Sequence, residues 1–98
     1  MSTDLSVGLE QTDGKGKAYI GESRSPLAKM TFSLAGRELI IIDHTEVNGS
    51  LRGKGAGKAM LERIVELARA QGMKVMPLCP FAKATFIKIK HLQDVLPT

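Results

Sequence analysis

The sequence predicts an α/β chain of the α+β kind, with a mixed, mostly antiparallel sheet and two helices. Three observations carry this reading. Ala28, Met30, Phe32 and Leu34 alternate with Lys29, Thr31 and Ser33, which is the period-two pattern of a half-buried strand. Met60, Leu61, Ile64, Val65, Leu67 and Ala68 recur at helical spacing with Lys58, Glu62, Arg63, Glu66 and Arg69 between them. The span Leu39 to Leu78 then reads strand, turn, helix, strand, a βαβ unit whose two strands lie parallel by default.

Taken in order, Met1 to about Thr12 is weakly patterned, with Val7 and Leu9 suited to a short edge strand. Asp13-Gly14-Lys15-Gly16 reads as a turn and Lys17 to Glu22 as a strand, followed by a loop at Ser23 to Pro26. Ala35-Gly36 is a tight turn that joins the alternating strand to Glu38–Val47 as an antiparallel hairpin. The main helix runs from about Ala56 to Gln71, where Gly72 is a good stop. Lys74 to Leu78 is a short strand. Pro80 suits a first helical position, with Phe81 to Ile89 as a second helix and His91 to Thr98 as a tail.

With 98 residues the chain reads as one domain over 1–98, since this length does not supply two independent cores. A core this small gains from a bound ligand or a second subunit, consistent with a monomer or a weak homodimer. The formal net charge of +4 suits an anionic ligand but is too mild to indicate nucleic acid, and one Tyr, three Phe and no Trp make a base-stacking platform a poor expectation. One cysteine precludes an intrachain disulfide, and no signal peptide is read, so a reducing, cytoplasmic setting is expected. No apolar run approaches the length of a membrane span, and no Cys/His grouping has zinc spacing, so neither membrane nor metal is expected.

The most informative segment is Arg52-Gly53-Lys54-Gly55-Ala56-Gly57-Lys58, between the apolar strand and the main helix. Glycines at such a junction let main-chain N–H groups crowd one point. The first helical turn adds its own unpaired N–H groups and the positive end of the helix dipole. That arrangement binds phosphate, and Arg52, Lys54 and Lys58 favour a multiply charged anion. A P-loop register fails, because Arg52 stands where its first Gly belongs and Ala59 where its hydroxyl belongs. A dinucleotide fingerprint fails too: Gly55-Ala56-Gly57 would need a third glycine where Met60 stands.

The pattern that fits is Arg52-x-x-Gly55-x-Gly57. In this it resembles the acetyl-CoA loop of the GNAT superfamily of N-acetyltransferases. Asp43-His44-Thr45-Glu46-Val47 and Val75-Met76-Pro77-Leu78-Cys79-Pro80-Phe81 extend the likeness to about Ala28–Leu96. Together these blocks resemble small single-domain GNAT-like acetyltransferases of the yjdJ type, in which a Tyr often stands at the place of Phe32. The resemblance implies a minimal GNAT fold and use of acetyl-CoA. Main-chain N–H groups of Gly53, Lys54, Gly55, Ala56, Gly57 and Lys58 would hold the pyrophosphate. The pantetheine arm would run between the strand end at Glu46–Val47 and the strand Lys74–Leu78. The segment after the first strand lacks the helices that shape the acceptor pocket of full-size relatives, so an open acceptor side is expected. That suits a protein or peptide amine, or a small amine held weakly.

Two residues are candidates for the chemistry. Cys79 precedes Pro80 and so would cap the second helix, where the dipole and Lys83 one turn on both favour thiolate. The resemblance places this cysteine beside the thioester, either as a nucleophile that becomes acetylated or as a small buried residue next to direct transfer. His44 and Glu46 alternate along a strand and so share a face, from which His44 could serve as a base for the amine; both equally suit a solvated strand end. Lys88 and Lys90 read as a solvated face. The other readings are a non-catalytic CoA-binding module and a small basic nucleic-acid binder, of which the second is disfavoured by the composition.

Overall fold

A computed structural model describes residues 6–97. The start of the weakly patterned N-terminus and the last residue of the tail lie outside the described residues. The elements are β1 Val7–Thr12, β2 Lys15–Gly21, β3 Pro26–Ala35, β4 Leu39–Val47, α1 Ala56–Gln71, β5 Lys74–Pro77 and α2 Pro80–Lys88. Two 3₁₀ segments, Gly49–Leu51 and Lys90–Val95, complete them. The strands follow chain order across the sheet, β1-β2-β3-β4-β5, with every pair antiparallel except β4 and β5. The fold is thus the expected α+β one, with a mostly antiparallel sheet.

The first hairpin is tighter than the sequence reading. Asp13 and Gly14, at φ of 49° and 78°, make the whole turn. Lys15 and Gly16 already pair with Thr12 and Gln11 as strand residues. Two left-handed residues in a row are the conformation whose twist suits a two-residue hairpin, and Asp-Gly is a favoured pair for it.

Both α-helices lie on one face of the sheet. Ala18, Ile20, Ala28, Met30, Phe32, Ile40, Ile42 and Val75 point from the strands into the core and meet Met60, Leu61, Ile64, Val65 and Ala68 of α1. Each large side chain so buried contributes roughly 1.5–3 kcal/mol of transfer free energy. Helix α1 ends at Gly72, left-handed at φ 69°, whose N–H reaches back to the carbonyls of Ala68 and Arg69. The tail packs rather than frays: Leu92 and Val95 are buried, and Arg69 holds Asp94 through two nitrogens at 3.1 and 2.5 Å while also donating to the His91 carbonyl at 2.8 Å.

Two irregularities in β4 position the site. Its parallel pairing with β5 runs only from Leu39–Lys74 to Ile42–Pro77. The Ile42 carbonyl then accepts from both Leu78 N (3.1 Å) and Cys79 N (3.3 Å), and the strands part. At the same place the register against β3 shifts: Phe32 pairs Ile42, while Thr31 pairs His44. Asp43 is therefore an extra residue, a β-bulge, and it reverses the facing of everything after it.

Candidate cofactor cleft and thiol

Beyond the bulge, Thr45 pairs Met30 and Val47 pairs Ala28, so these two take the helix-covered face. His44 and Glu46 pair Thr31 and Lys29 and are exposed on the opposite face. The one-residue insertion thus turns His44, read as a base for the amine, and Glu46, read as part of the coenzyme's strand end, away from the helix-covered face. Glu46 instead lies 3.9 Å from the Lys29 ammonium, and the Asp43 carboxylate accepts from Ser33 Oγ at 2.8 Å.

After β4 the chain makes a short, self-bonded turn. Asn48 Oδ1 accepts from Ser50 N at 2.9 Å, Arg52 N donates to Gly49 O at 3.2 Å, and Lys54 N donates to Leu51 O at 3.2 Å. Leu51 is buried as the plug beneath the turn. Gly55 is then the N-cap of α1 at φ 79°, a left-handed conformation that explains glycine at this point. The first helical hydrogen bond is Ala59 N to Gly55 O, 2.9 Å. The amides of Ala56, Gly57 and Lys58 therefore begin the helix without an intrahelical acceptor. No side chain caps this end and its first turn has no acidic residue, while Lys58 stands there against the dipole preference. This helix start thus has unpaired amides and a cation with no protein acceptor at its end.

It opens on a cleft of about 570 Å³, within the usual range for ligand sites. β4 contributes Thr45 and Val47; the turn and α1 contribute Leu51, Arg52, Gly53, Gly55, Ala56, Gly57 and Lys58; α2 and the residue after it contribute Phe81, Thr85, Lys88 and Ile89. Of the residues expected to hold the coenzyme, Val47, Arg52, Gly53, Gly55, Ala56, Gly57 and Lys58 line this space, whereas Lys54, Lys83 and the buried Cys79 do not. Thr45, Phe81, Thr85 and Lys88 were missed. Lys88 is exposed, as read, and on that solvated face it also adds a third cation to the wall.

Cys79 is the N-cap of α2, buried with 7% of its surface exposed, and its Sγ lies 3.3 Å from Thr45 Oγ1. Burial pushes the thiol up, but hydrogen bonding with the Thr45 hydroxyl and with the main chain at Ala82, Phe81 and Thr45 outweighs it. The net result is a thiol below its ordinary range. The start of α2 thus acts as the sequence suggested, through its main chain at Phe81 and Ala82, whereas the charge of Lys83 is not among the causes. Among the described residues no group of three or more His, Cys, Asp or Glu could hold a metal ion. No described helix is long and apolar enough to cross a membrane.

The fold is a single-sided α+β sheet with a parted β4/β5 pair and an uncapped helix start beside the cleft. Residues 17–95 match the family of GCN5-related N-acetyl-transferases, and the chain belongs to it. The solution structure of a GCN5-like N-acetyltransferase candidate from Staphylococcus aureus is 36% identical and superposes with a TM-score of 0.72, covering 92% of this chain and 87% of that one. The ribosomal-protein-alanine N-acetyltransferase of Brucella melitensis biovar Abortus 2308 shares the fold at 17% identity and a TM-score of 0.65, covering 80% of this chain and 62% of that one. No curated protein matches the sequence.

Proposed function

We propose that the chain is an acetyl-CoA-dependent N-acetyltransferase, in one domain, acting on an amine acceptor. The observation that carries this is the uncapped start of α1, turned by left-handed Gly55 and flanked by Arg52 and Lys58 at the mouth of the cleft. The amides of Gly53 and of Gly55–Lys58 would bind the coenzyme's pyrophosphate, with Arg52, Lys58 and Lys88 offsetting its charge. The edge of β4 released from β5 beyond Ile42 offers main-chain donors and acceptors to the amide-bearing pantetheine arm. Bound coenzyme supplies the activated acyl thioester. Cys79, where β4 and β5 separate, would meet that group there.

β1 and β2 are joined by two residues, so no helix walls the sheet there. An uncovered sheet face fits a protein or peptide amine, or a small amine held weakly. The reduced, acid-shifted thiol suits the cytoplasm.

One observation favours a second reading, a non-catalytic CoA-binding module: among the described residues no Asp, Glu or His lines the cleft. The two readings separate on turnover. Isothermal titration should give acetyl-CoA binding that is lost in G55E. Acceptor-dependent release of CoA over a panel of peptides and polyamines then marks the enzyme. Binding with no release across the panel marks the module, and no binding at all overturns both.

A further inference from the structure

We propose that Thr45 is the positioning residue for Cys79. Its hydroxyl, brought into the cleft by the Asp43 bulge, holds the sulfur at the point where β4 and β5 separate. Three independent features meet there. The register shift turns Thr45, and not His44, toward α2. Leu78 and Cys79 both donate their amides to the Ile42 carbonyl, which fixes the main chain of the cysteine relative to β4. The two side chains then close the gap, Sγ to Oγ1, at 3.3 Å.

A threonine hydroxyl both donates and accepts. It can accept from the neutral thiol and, after rotation about its C–O bond, donate to the thiolate. β-Branching leaves few χ1 rotamers on a strand, so the oxygen is held in place without a further tether. The groups packed round the sulfur are this hydroxyl from β4 and the main-chain N–H groups at the start of α2. Lys83 on α2 is exposed, and Asp43 and His44 lie on the solvent side of β4. Among the described residues Thr45 is therefore the side chain that tunes the thiol, and its role in transfer rests on the function proposed above.

The single cysteine gives one resonance when the protein is labelled at the cysteine β-carbon, and its pH titration reads the thiol directly. T45V keeps the branched shape and removes the oxygen. It should raise the Cys79 midpoint by about half to one pH unit, leaving roughly 3- to 10-fold less thiolate at neutral pH. T45S should restore the wild-type midpoint, and T45A, smaller still, should behave as T45V does. Equal midpoints in wild type, T45V and T45A would overturn the proposal. Acetyl-CoA titrations of the same proteins keep the two ideas apart: a wild type that fails to bind sinks the proposed function, while the thiol titration still decides the Thr45 link.

Discussion

The Phe81 ring lies against the main chain of Gly57, so close that a β-carbon on Gly57 would sit 1.9 Å from Cε1. This contact lets the start of α2 approach the start of α1 and forms one corner of the cleft. The last glycine of the loop is thus needed for packing, whereas Gly55 is needed for its backbone angle.

Gly57→Ala should therefore destabilise, even though alanine favours a helix interior by about 1 kcal/mol over glycine. Overpacking costs typically about 1–3 kcal/mol, so the net loss should be up to about 2 kcal/mol. In an F81A background the clash is gone and the same change should become neutral or stabilising. Urea unfolding of the four proteins of this double-mutant cycle checks the reversal of sign.

Gly55→Ala meets no atom within 4 Å but keeps a φ of 79°. The expected cost is about 1–2 kcal/mol of backbone strain, read as a lower thermal midpoint. Gly55→Glu adds bulk and negative charge at the anion site. It should abolish acetyl-CoA binding by calorimetry while far-UV circular dichroism stays native.

Lys88→Gln should weaken acetyl-CoA binding roughly threefold, about 0.7 kcal/mol, and reduce the dependence of affinity on salt. Binding of uncharged pantetheine should not change. A matching loss for pantetheine would mean that Lys88 acts through the shape of α2 instead of through charge.

The Arg69–Asp94 pair ties the C-terminal 3₁₀ segment to α1, and Arg69 holds the Asp94 carboxyl below the usual carboxylate range. A carboxyl depressed in the folded state stabilises it above the unfolded pKa, near 3.9, and loses that contribution as pH falls through the folded value. The stability of D94N should then fall less steeply than that of wild type below about pH 4. Parallel urea curves for the two proteins from neutral to acid pH test this.

Much of the fold was legible because local signals agreed with one another. Helix α1 was bounded correctly by the glycines at 55 and 72, and the hairpin of β3 and β4 by alternation on both sides of Ala35-Gly36. The loop was found because glycine and lysine are chemically unusual at a helix start. What stayed hidden was the bulge. Nothing in Ile42-Asp43-His44-Thr45 distinguishes a regular strand from one with an extra residue, since the choice depends on how β3 pairs across from it. Alternation puts His44 and Glu46 on one face, and the bulge decides that this face is the exposed one. That exposed Lys88 also borders the cleft was hidden for a related reason: α2 is so weakly amphipathic that only its docking on α1 and the sheet decides which side meets the cleft.

The Asp43 bulge also makes residue count, and not only residue type, a determinant of this site. Deleting one codon there would leave hydropathy almost untouched, yet it would exchange the two sides of the strand's last four positions. Imidazole and carboxylate would be driven against the apolar wall, and the threonine out to water. In this part of the chain a single-residue gap is a heavier change than most substitutions.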